Sequence, residues 1–152
     1  MTVKQIFDDM SYGPAPESSA ETQAWIAQHN AEFGHWIDGA FTAPGLLFDS
    51  KNPATGKVLA RVTQGSRAEV DAAVAAAKRA QPKWAKLPGH SRAQYLYALA
   101  RLVQKHARLL SVLETLDNGK PIREARNIDI PLVVRHFYYH AGLAQLLESE
   151  HP

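Results

Sequence analysis

The sequence predicts an α/β fold in which a short run of strands and turns precedes four or five helices. Three observations lead there. Asp38-Gly39 stands between the apolar pairs Trp36-Ile37 and Ala40-Phe41, a strong hairpin signal. The turn-rich run Asn52-Pro53-Ala54-Thr55-Gly56 leads into Lys57-Val58-Leu59-Ala60-Arg61-Val62, where Val58, Ala60 and Val62 share one strand face. From Ser66 onward the apolar period lengthens from two to the helical value. A four-helix bundle is the natural rival, because the last observation alone is compatible with it.

Taken in order, residues 1–34 read as an arm. Ile6-Phe7, Met10 and Tyr12 are scattered among polar groups, and Pro14 and Pro16 discourage helix and sheet alike. A short helix fits Glu17 to His29, with Ala24, Trp25 and Ala27 as its apolar members, and Gly34 ends any such run. Residues 35–62 are expected to be strands and turns, and the core to come mainly from residues 58–147. Ser66-Arg67-Ala68-Glu69 fits a capping box, after which Val70, Ala73, Val74 and Ala77 lie on one face until Pro82 stops the helix. Pro88-Gly89 precedes a helix with Leu96, Leu99, Ala100 and Val103 at core spacing. A last long helix is expected to carry Val133, His136, Phe137, His140, Ala144 and Leu147 along one face.

Between these helices lies the junction Leu113 to Pro121. An apolar stripe at Leu109, Val112, Leu113 and Leu116 runs into Asp117-Asn118-Gly119-Lys120-Pro121, a set of stop signals followed by a restart. The helical period of the flanks argues against a hairpin at Asn118-Gly119. Gly119 therefore reads as a left-handed C-cap and Pro121 as the first residue of the next helix.

Composition excludes several function classes. The 152 residues are of one-domain size, and 45% are apolar and 21% charged, as in ordinary globular proteins. Net charge is +2, with 17 basic residues dispersed among 15 acidic ones, so no nucleic-acid footprint is indicated. No apolar run approaches the ~20 residues that span a membrane, and a cytoplasmic protein is the expectation. There is no cysteine, which removes disulfides, thiolate metal sites and any cysteine nucleophile within these residues.

Motifs for chemistry are few. His136 and His140 have the i, i+4 spacing that can chelate a metal, but no glutamate or cysteine stands between them, and packing is the favoured reading. Glu148 and Glu150 read as solvated side chains. No G-x-S-x-G elbow, G-x-G-x-x-G or phosphate-binding P-loop occurs. No self-sufficient catalytic set is present.

The order of motifs nevertheless resembles the N-terminal third of an aldehyde dehydrogenase. The matching pieces are Trp36 to Phe41, Asn52 to Ala60, the Glu69 to Ala80 helix with Trp84, Arg92 to Leu102, Leu113 to Pro121, and Phe137-Tyr138-Tyr139-His140-Ala141-Gly142. The arm, with Ile6-Phe7, Tyr12 to Ser18, Ala24-Trp25-Ile26 and Gly34-His35-Trp36, looks most like the family-sixteen branch.

That resemblance implies residues 35–152 to be an incomplete part of a doubly wound dinucleotide-binding domain. It also implies an NAD- or NADP-dependent oxidation of a small-molecule aldehyde to an acid by a homo-oligomer. The family's cysteine nucleophile, glutamate base and asparagine oxyanion donor have no counterparts here, so no catalytic or cofactor-binding residue is assigned. Phe137, Tyr138 and Tyr139 lie near the substrate wall by resemblance, with core packing the favoured role. A monovalent cation is implied at the carbonyls of Ser50 and Lys51 and at Asp117, with a plain helix cap at Asp117 as the alternative. A non-catalytic interaction or oligomerisation module derived from a dehydrogenase is the competing function.

Overall fold

The protein's structure, a computed structural model, describes residues 18–43 and 45–150, with side chains through Leu147. The expectations for Ile6-Phe7 and Tyr12 to Pro16 lie outside the described residues. Helix α1 (Ala20–Gln28) is followed by β1 (Glu32–Phe33), β2 (Trp36–Ile37), β3 (Ala40–Phe41), β4 (Leu47–Lys51) and β5 (Val58–Thr63). Then come α2 (Arg67–Ala85), α3 (Gly89–Lys105), α4 (Ala107–Asn118), the single turn α5 (Ile122–Glu124), a π-helical turn (Ala125–Asp129) and α6 (Ile130–Glu150).

Both hairpins form where the turn residues place them. Asp38 and Gly39 both take positive φ, 56° and 81°, the pairing that lets a two-residue turn follow strand twist. Trp36 stands opposite Phe41 with their rings edge to face, centroids 4.7 Å apart. β4 and β5 pair antiparallel, with a register irregularity between Ser50 and Lys51. β1 adds parallel to the other side of β5, giving the order β1-β5-β4. The chain reaches β1 through Asn30 and Ala31, both at positive φ, and Arg61 N–H then bonds Ala31 O at 2.8 Å.

Among the described residues the buried apolar side chains lie mainly within 58–147, as expected, and Ile26 and Thr22 of α1 join them where α1 packs on α4. The helices differ from the expectation in two places. α2 continues through Pro82 to Ala85 and buries only Ala76, so Val70, Ala73, Val74 and Ala77 are exposed. Proline there removes one backbone hydrogen bond, and the helix runs only three residues beyond it. Its N-terminus carries the expected capping box, with Ser66 N–H donating to Glu69 Oε2 at 2.8 Å.

In α6 the buried positions are Val134 and Ala141, and His136, His140 and Tyr139 are exposed, which corrects the expected stripe and the packing role given to the histidines and Tyr139. The reason is the partner. α3 and α6 pack along their lengths through small residues, Gly89, Ala93 and Ala100 on one side and Ala141 on the other. A Cβ on Gly89 would lie 2.2 Å from the Ala144 carbonyl oxygen, so the backbones approach as closely as they can. Phe137 and Tyr138 are half-buried, and Tyr138 donates its hydroxyl to Gln104 Oε1 at 2.8 Å.

In α4 the expected stripe is borne out, with Val112 buried and Leu109, Leu113 and Leu116 half-buried. Elsewhere large apolar side chains stay exposed, among them Val70 (59%), Leu102 (52%) and Leu146 (51%). The described residues thus bury alanines and leave much of their aliphatic surface bare.

Candidate functional site

The site forms where the two turn-rich motifs meet. α4 ends at Asn118, and Gly119 takes φ 79°, ψ 10° with its N–H on Thr115 O at 3.0 Å, the left-handed cap expected from sequence. A Cβ there would fall 2.7 Å from Pro53 Cγ, so the Asn52 to Gly56 turn rests directly on the cap. Pro121 is the residue just before α5, one place earlier than predicted.

Two residues before the cap, Asp117 accepts a short hydrogen bond from the Ser50 hydroxyl at the end of β4. Ser50 and Asp117, 67 residues apart in sequence, are therefore brought together. Lys51 follows at the strand irregularity, its side chain exposed. The α4 C-terminus adds its negative dipole end to the Asp117 carboxylate.

Beyond the cap, Lys120 turns back to Asp129 at the end of the π-helical turn, with Nζ and Oδ2 2.6 Å apart. That carboxylate's hydrogen bond holds the lysine above its usual 10.5.

Beside the junction lies an open pocket of about 360 Å³, walled by Trp25, Phe33, Leu59, Val62 and Leu113. Ser50, Glu114 and Asp117 supply its polar groups. Trp25 stacks on Phe33 with centroids 5.6 Å apart. Glu114 was not singled out from sequence. Its signal was its spacing, since three residues before Asp117 puts both carboxylates on one helix face; its Oε1 accepts from Asn118 Nδ2 at 3.0 Å.

The site holds oxygen donors and an open apolar pocket, and no cysteine. Among the described residues no three His, Asp or Glu side chains gather as a metal centre. No described helix is long and apolar enough to cross a membrane. Glu148 and Glu150 lie in α6 beyond the described side chains.

Comparison with known proteins matches residues 41–152 to the aldehyde dehydrogenase family. The chain belongs to that family. DhaS of Bacillus subtilis strain 168 is 47% identical over 111 residues, covering 70% of this chain and 22% of that protein. The 5-carboxymethyl-2-hydroxymuconate semialdehyde dehydrogenase of Escherichia coli is 40% identical over 116 residues, 76% of this chain and 25% of that enzyme. Among solved structures, the aldehyde dehydrogenase of Bacillus cereus in complex with NAD+ superposes with a TM-score of 0.76 at 38% identity, over 83% of this chain and 26% of that one. The α/β architecture is thus that of the family. The chain spans about a quarter of the length of these relatives.

Proposed function

We propose that this chain forms the N-terminal part of an NAD(P)-dependent aldehyde dehydrogenase that oxidises an aldehyde to a carboxylic acid. The family match over residues 41–152 carries this reading. The likeness to the NAD+ complex of the Bacillus cereus enzyme supports the cofactor class. Residues 24–26 and 34–36 support the family-sixteen branch, and the absence of any cysteine supports a chain without activity of its own. A cytoplasmic homo-oligomer is part of the same reading.

No cofactor-binding residue is assigned among the described residues. No glycine-rich strand-to-helix turn presents backbone N–H groups to a pyrophosphate, so no step of the reaction is routed through this chain. Its contribution is to brace the cofactor domain. A monovalent cation suits the junction better: the Asp117 carboxylate and the main-chain carbonyls of Ser50 and Lys51 would supply oxygen donors alone, and the hydrogen bond from the Ser50 hydroxyl to Asp117, which brings β4 to the end of α4, supports that reading.

The test is an assay of NAD- and NADP-linked aldehyde oxidation by this chain and by the longer protein that continues into the family's cysteine-bearing part. The longer protein should turn over and this chain should not. Turnover by the purified chain would defeat the assignment. For the cation, potassium or sodium should raise the melting temperature of the longer protein, and Asp117→Ala should abolish that rise.

The exposed aliphatic faces of α2 and α6 favour a second reading, in which the chain is a non-catalytic module that pairs with a dehydrogenase subunit. Stable association of the chain with an intact subunit, without gain of activity, would select it.

A further inference from the structure

His136 and His140 face solvent on the outer side of α6, one helical turn apart. Their rings stack with centroids 6.4 Å apart and planes within 20°. Their exposure rules out core packing as the role of the pair, while the lack of an interposed glutamate or cysteine leaves two imidazoles as its only protein donors among the described residues. We propose that the two imidazoles form a site for one divalent transition-metal ion of borderline softness, Cu²⁺, Ni²⁺ or Zn²⁺.

Positions i and i+4 lie on the same helix face, each Cβ displaced toward the N-terminus, so both rings project into one region of space. Each ring is exposed and needs only side-chain rotation to bring a nitrogen to ~2.0–2.1 Å from a shared ion. Tyr139 stands against His140 edge to face at 5.3 Å. Neutral imidazole is a strong ligand for copper, nickel and zinc and a poor one for magnesium or calcium, which prefer oxygen.

Among the described residues no third His, Asp or Glu joins the pair, so solvent completes the coordination and the ion stays exchangeable. This sets the site apart from the oxygen-lined junction at Asp117, which suits hard monovalent ions. Chelation also ties one turn of α6 to the next, so the bound ion stabilises the helix.

The experiment titrates the chain with Cu²⁺, Ni²⁺, Zn²⁺ and Mg²⁺ separately by calorimetry, beside His136→Ala and His140→Ala. One equivalent should bind, tightest for Cu²⁺ and absent for Mg²⁺, and either substitution should weaken it roughly tenfold or more, the loss of chelation by a second nitrogen. Paramagnetic resonance of the copper complex should show coupling to two imidazole nitrogens in the parent and one in each variant. The exposed positions leave folding intact, which the unchanged metal-free melting temperature of the variants reports. Unchanged copper affinity in both variants, or a spectrum without two-nitrogen coupling, would overturn the proposal and place the ion at another of the seven histidines.

Discussion

Pro53 seats its ring on Gly119, so close that a side chain on the glycine would fall 2.7 Å from Pro53 Cγ. One turn therefore depends on the other having no side chain. Gly119 is needed twice, once for φ 79° and once for that contact.

Gly119→Ala should destabilise the chain by about 1–3 kcal/mol, the sum of left-handed strain and overpacking. Urea denaturation gives the value. In a Pro53→Ala background part of the loss should return, because the contact has been relieved and the backbone strain has not. Equal losses in both backgrounds would show that the contact is without consequence.

Ser66→Ala removes the cap of α2 and should cost about 1 kcal/mol. The effect has a pH signature. The Ser66 side chain and backbone N–H hold the Glu69 carboxyl below its usual 4.5. A lowered acid stabilises the fold above the unfolded value and loses that contribution as pH falls through the folded one. The gap between parent and variant should therefore narrow below about pH 4.5, and the NMR titration of Glu69 should move upward in the variant.

For Lys120 the sign is opposite. The hydrogen bond from Lys120 to Asp129 raises the lysine above 10.5, so its contribution is complete below that value and lost as pH rises through the folded one. Asp129→Asn should lower the denaturation midpoint at pH 8 and return the Lys120 titration toward 10.5. A midpoint that does not change would mean that the ion pair is decoration on a junction held by backbone alone.

Gly89→Ala tests the closest approach of α3 and α6. The added methyl would meet the Ala144 carbonyl oxygen at 2.2 Å, a backbone atom that cannot swing aside. A loss of about 1–3 kcal/mol is expected, visible as a lower melting temperature. Ala98→Ser, on an exposed position of the same helix, should change little.

What was legible in the sequence was local. Asp38-Gly39 and Gly119 announce themselves because few residues adopt those backbone angles, and the Ser66 to Glu69 box is complete within four positions. What was not legible depends on neighbours. Val70 and Val74 have helical spacing, but periodicity shows that a face exists and not that anything covers it. The buried line of α6, Val134 with Ala141, is weakly apolar and hidden beside the stronger stripe containing His136 and His140. β1 is two residues long and follows two left-handed residues, too short for alternation to register. Ser50 and Asp117 were paired by the ordered motifs of the family, since nothing in their own spacing links residues 67 apart.

The π-helical turn at Ala125–Asp129 carries one residue more per turn than the α-helix that follows it. Excising one residue there would regularise the backbone and swing everything downstream by about 100° about the helix axis. Val134 and Ala141 would turn away from α3, and a different edge of α6 would take their place. The angular phase of the longest helix is thus set upstream of its contact with α3, in five residues that touch that contact only at a distance.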